Sequence, residues 1–82
     1  MTSPQIPQNL RELLADILEI SPDEVTHDLS SETLETWDSF RHLQVILALE
    51  AEYGIQFDPQ RVPDLTTVSA LQYELAKKGV SL

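Results

Sequence analysis

The side chains most able to do chemistry lie together in Trp37-Asp38-Ser39-Phe40-Arg41-His42. Here a hydroxyl follows a carboxylate and precedes, by three residues, an imidazole. Such a serine has three possible uses. It could be a nucleophile activated by His42, which requires base and orienting acid in fixed geometry. It could accept a covalent group, or it could simply cap a helix. The first use is disfavoured. Residues three apart at a helix start seldom align as a catalytic set, and no glycine-rich turn precedes Ser39. His42 is therefore expected at the rim of the core, and His27 on a loop surface. The chain has no cysteine, so it offers no thiolate, no disulfide and no cysteine metal site. Any reactive thiol would have to arrive on an attached group. The acidic stretch Asp23 to Glu35 lacks the alternating carboxylates and central glycine of a calcium loop.

Positioning Ser39 falls to the segment that follows it. From Phe40 onward there is no proline or glycine until Gly54, and the run is rich in Leu and Ala. That composition predicts a helix ended by Gly54 in the left-handed region. Asp38 or Ser39 supplies the cap oxygen, worth about 1 kcal/mol, which sets Ser39 at the helix mouth. At roughly 100° per residue the helix divides into two apolar stripes. His42, Val45, Ile46, Leu49 and Tyr53 form one that runs its full length, as a core face does. Phe40, Leu43 and Leu47 form the other, which gives way to Glu50 and Ala51. Interleaved with Arg41 and Gln44, this second stripe reads as a docking surface beside the hydroxyl.

The remaining elements are read around that helix. Residues before Pro7 are expected to be loose at their start. Asn9 to Glu19 predicts an amphipathic helix with Leu10, Leu13, Leu14, Ile17 and Leu18 inward, Ile6 extending the face, and Arg11, Glu12, Asp16 and Glu19 outward. Ser21-Pro22-Asp23-Glu24 has the pattern of a capping box on a short turn. Thr26 to Thr36 reads as a long polar loop anchored by Leu29 and Leu34, with Trp37 pinning its end. Two prolines in Asp58-Pro59-Gln60-Arg61-Val62-Pro63 allow one short helical turn. A final helix starts under a threonine cap at Thr66-Thr67, faces Val68, Leu71 and Leu75 inward, and closes with Lys77, Lys78 and Gly79. The expected fold is all-α: a small antiparallel four-helix bundle of three long helices and one short, with a long first loop. It forms one domain over 1–82, its core about 9–78.

These residues resemble the acyl carrier proteins and the related peptidyl carriers. The likeness rests on Asp38-Ser39-Phe40 opening a long helix, on Ala48-Leu49-Glu50-Ala51-Glu52-Tyr53-Gly54-Ile55, and on Thr66-Thr67-Val68 opening the last helix. It spans about residues 9 to 78. The resemblance implies a 4′-phosphopantetheine esterified to Ser39, with Asp38 beside it, whose terminal thiol holds acyl or aminoacyl groups as thioesters. It also implies that the first loop lies along the bundle, and that His42 could touch the arm. A phosphodiester there would gain roughly 0.3–1 kcal/mol from the helix N-terminus. The implied partners are a phosphopantetheinyl transferase, a loading ligase or acyltransferase, and a downstream synthase or transferase. They would meet Phe40, Arg41, Leu43, Gln44, Leu47, Glu50 and Ala51. The carrier itself is expected to catalyse nothing. The alternative is an unmodified adaptor of the same fold that acts through protein contacts alone.

Charge narrows the partners further. Fourteen acidic and five basic side chains give a formal charge of −9, which argues against nucleic acid, where clustered Lys and Arg are needed. The balance suits basic patches on proteins. No leader and no long apolar run is evident, so a cytoplasmic monomer without a membrane span is expected. One departure from fatty-acid carriers stands out. They place acidic residues directly after the serine motif on the exposed side of the helix, where this chain has Arg41 and Gln44. A like charge should weaken docking to Arg or Lys patches, which points to a dedicated polyketide, nonribosomal peptide or modified lipid or sugar pathway.

Overall fold

The first helix forms because its leucines repeat at helical spacing. The computed structural model describes residues 6–80, so the loose start expected before Pro7 lies mostly outside the described residues. Helix α1 spans Gln8–Leu18 and buries Leu10, Leu14, Ala15 and Leu18, with Ile6 joining them and Leu13 and Ile17 packed at the margin. It ends at Glu19 in the left-handed region, at φ 59°. Arg11 does not take the solvent face expected of it. Its Nη1 donates to the carbonyls of Pro22 at 3.2 Å and Val25 at 2.8 Å. The short 3-10 turn η1 (Pro22–Glu24) packs beside α1 and turns these two carbonyls toward Arg11, that of Pro22 also accepting from Val25 N–H at 3.1 Å. At the start of that turn the Ser21–Glu24 capping box is present.

Residues 25–38 are held by the rest of the molecule. Val25 and Trp37 are buried, while Leu29 and Leu34 pack on the core. Thr36 Oγ1 donates to Leu18 O at 2.7 Å, tying the stretch to the end of α1. An isolated antiparallel bridge joins Ser30 to Thr67. Ser31 N–H to Thr66 O and Val68 N–H to Leu29 O extend that contact to the start of the last helix.

Helix α2 spans Ser39–Tyr53 and closes on Gly54 at φ 64°, a conformation that costs glycine nothing. Its buried residues are Val45, Ile46 and Leu49. Helix α3 spans Val68–Lys77 under a Thr67 cap that accepts from Ala70 N–H, and it buries Val68, Leu71 and Leu75 as expected. It also buries Gln72 and Glu74, which helical periodicity alone does not flag. Arg61 Nη2 lies 3.5 Å from Glu74 Oε1 as an ion pair, and that oxygen is buried without a hydrogen bond.

Among the described residues there are three α-helices, two 3-10 turns and no strand. The short helix expected near Pro59 to Pro63 is one 3-10 turn, η2 (Val62–Asp64). Pro63 lacks an N–H and disfavours α geometry at Val62, so a longer α-helical run cannot form there. All three helices feed one hydrophobic cluster. The radius of gyration, 11.6 Å, is that of a fully packed chain of this length.

Candidate functional site

Ser39 is the first residue of α2 and is exposed. Asp38 provides the cap: its Oδ1 accepts from Arg41 N–H at 2.9 Å, and its carbonyl accepts from His42 N–H at 2.8 Å. The side-chain oxygen of Asp38 is thereby committed to the backbone, and the Ser39 hydroxyl is left without that duty. The N–H groups of Ser39 and Phe40 precede the first intrahelical bonds and contribute to the positive end of the helix. An open cleft of about 500 Å³ adjoins the hydroxyl, lined in part by Trp37, Asp38, Ser39, His42, Val62 and Pro63. A phosphodiester on Ser39 therefore fits: the oxygen is accessible, the helix end favours an anion, and there is room beside it.

His42 is half-buried, at the rim as expected. Trp37 Nε1 donates to its Nδ1 at 3.1 Å, and its Nε2 lies 2.7 Å from Val62 O. Indole is a donor only and a carbonyl an acceptor only, so the ring is the tautomer with its proton on Nε2. Both nitrogens are thus taken, and neither is free to receive the Ser39 proton. Trp37 is buried as the anchor it was expected to be, and through His42 it ties α2 to η2.

The residues expected to face partners divide into two groups. Phe40, Leu43 and Leu47 are exposed large hydrophobics, and Gln44 and Ala51 are exposed between and beyond them. Arg41 and Glu50 are engaged within the molecule instead. Arg41 Nη1 donates to Ile17 O at 2.6 Å and Nη2 to Glu19 Oε2 at 2.6 Å. Its charge is drawn toward α1, where carbonyls and a carboxylate favour a cation. Glu50 accepts from Phe57 N–H at 2.8 Å, because the chain reverses after Gly54 and leaves that donor facing the helix.

Sequence reading missed Ile17 O, Glu19 and Val62 as neighbours of this region. Nothing local marks them, since they lie twenty or more residues from their partners. At the far end of α2, Tyr53 takes a hydrogen bond from Asn9 Nδ2 at 3.3 Å. Partial burial pushes its phenol above the usual value and the Glu52 charge adds to this, while the Asn9 bond opposes. Among the described residues no group of His, Asp or Glu could hold a metal ion. No helix among them is long and apolar enough to cross a membrane.

Comparison with known proteins agrees with this geometry. A family model described as the phosphopantetheine attachment site matches residues 8–71. The polyketide-8 synthase acyl carrier protein 2 of Streptomyces avermitilis is 39% identical over 71 residues, spanning 83% of this chain and 77% of its own. An acyl carrier protein of Petrotoga mobilis is 27% identical over 78 residues, spanning 95% of this chain and 92% of its own. With a family model covering most of its length and a relative of that identity, the chain belongs to the acyl carrier protein family, whose members bear 4′-phosphopantetheine.

Proposed function

We propose that Ser39 is the residue that carries 4′-phosphopantetheine, and that the chain presents acyl or aminoacyl thioesters to partner enzymes without catalysing a reaction itself. One observation carries the reading: an exposed hydroxyl at the first position of α2, relieved of capping by Asp38. When bound, the group supplies a terminal thiol on a long tether, which this cysteine-free chain otherwise lacks.

The chain's own residues do the rest. Asp38 holds the first turn rigid, so the oxygen is presented in one place. The helix N-terminus favours the phosphodiester anion. Phe40, Leu43 and Leu47 offer apolar contact to a transferase and later to loading and condensing enzymes, with Gln44 and Ala51 at its margin. Since His42 is occupied on both nitrogens, deprotonation of Ser39 falls to the modifying enzyme. A cytoplasmic monomer suits such a shuttle.

The test uses the purified chain, coenzyme A and a broad-specificity phosphopantetheinyl transferase. The wild type should gain the mass of one pantetheine arm, and Ser39→Ala should stay folded and gain nothing. A wild type left unmodified would favour a helical adaptor.

The pathway is the finer proposal: dedicated polyketide, nonribosomal peptide or modified lipid or sugar synthesis. The relative named for polyketide synthesis supports it. So does the open face of α2, which holds no acidic residue before Glu50. Arg41 weighs less here than its sequence position suggested, because Glu19 neutralises it. Housekeeping fatty-acid enzymes should transfer malonyl groups to the holo protein more slowly than to their own carrier. Equal rates would refute the assignment.

A further inference from the structure

We infer that Arg41 is a positioning residue for modification at Ser39, and that it acts by fastening the first turn of α2 to the last turn of α1. The inference rests on Ser39 being the modified residue. Arg41 lies two residues past Ser39 and works through both its backbone and its side chain. Its N–H donates to Asp38 Oδ1 at 2.9 Å, which fixes the cap. Its guanidinium donates to Ile17 O and to Glu19 Oε2, each at 2.6 Å.

The α1 end of this contact has an unusual feature. Among the described residues, Glu19 is the only one other than glycine with positive φ. A glycine would end α1 there more comfortably. A glutamate in that conformation is what brings a carboxylate within reach of Arg41. The planar fork of arginine suits two acceptors held side by side, whereas a lysine ammonium is a single point of charge.

Global stability is a poor account of the arrangement. The Glu19 side chain is 59% exposed and that of Arg41 29%, and ion pairs open to water add little to folding. Local placement is the effect that remains. In a transfer reaction, misplacing the nucleophile by about 1 Å can cost on the order of a hundredfold in rate. Arg41 and His42 are adjacent and brace different sides: Arg41 reaches α1, and His42 reaches Trp37 and Val62.

The experiment measures kcat and KM for modification by the same transferase, with amide NMR spectra and melting curves of each apo protein. Arg41→Ala should lower kcat about tenfold or more, in line with a displaced nucleophile, and leave KM nearly unchanged. Arg41→Lys, able to hold one acceptor and not both, should fall between. Glu19→Gly removes the carboxylate while easing the backbone, so it should fold at least as well as the wild type and still lose kcat. In Arg41→Ala the amide signals of Ser39 and Phe40 should shift while those of Leu71 and Leu75 in α3 stay in place. Wild-type kcat in all three variants would overturn the inference. So would a change confined to KM with Lys equal to Arg, which would mark a plain surface charge. If the wild type itself takes up no arm, the Ser39 reading falls, and the amide shifts alone decide whether Arg41 orders that turn.

Discussion

The two apolar stripes of α2 are built from the same kinds of side chain and meet opposite fates. Val45, Ile46 and Leu49 are at most 3% exposed, while Phe40, Leu43 and Leu47 are 68, 53 and 56% exposed. Full burial of one such side chain is worth about 1.5–3 kcal/mol, so the outer stripe forgoes a large stabilisation. A helix needed only for folding would carry polar residues there. The outer stripe begins beside Ser39, which is where an enzyme acting on that hydroxyl would approach. One face of α2 holds the molecule together, and under the proposed function the other is kept for partners.

The difference between the stripes can be broken by substitution. Leu49→Ala removes a fully buried side chain and should cost about 2–5 kcal/mol in denaturant unfolding. Phe40→Ala and Leu47→Ala should each change stability by no more than about 0.5 kcal/mol, as surface substitutions do. Phe40→Ala should nonetheless slow arm transfer by raising KM, in contrast to the kcat effect expected of Arg41→Ala. Unfolding of Phe40→Ala would place that ring in the core and dissolve the distinction.

The smallest effect sharpens the picture where the buried stripe runs out. Tyr53 is only partly buried, yet its phenol is raised above the ordinary value, chiefly by desolvation. A raised value means that the folded state holds the proton more tightly than the unfolded chain does. Its contribution is therefore complete below the unfolded value near 10 and is lost as pH climbs through the folded one. The stability of wild type relative to Tyr53→Phe should be constant from neutral pH to about 9 and then decline in more alkaline solution. A flat difference across that range would show the ring to be effectively solvated.

Much of this molecule follows from rules that act over a few residues. Leucine spacing and the Gly54 stop define α1 and α2. Asp38 and Thr67 are caps because a short polar side chain can reach an N–H three residues ahead. The Ser21–Glu24 box obeys the same logic. The serine at the mouth of a two-faced helix was visible for that reason, while the family was indicated by the resemblance of its motifs and shown by its relatives. The two prolines near η2 limited that stretch to one short turn, since proline restrains its predecessor, and the turn is 3-10, not α.

What sequence alone determined is therefore the set of helices, the placement of Ser39 and the division of α2 into two faces, all products of local geometry. Only the tertiary structure decided where the long polar side chains go. Arg11, Arg41 and Glu50 looked like solvent residues, yet each meets a group that the fold brings alongside it. The proton on His42 was settled the same way, by an indole on one side and a carbonyl on the other. Flexible charged side chains reach several ångströms in many directions, so their partners depend on which unpaired carbonyls and N–H groups packing leaves nearby. No pattern of neighbours along the chain encodes that.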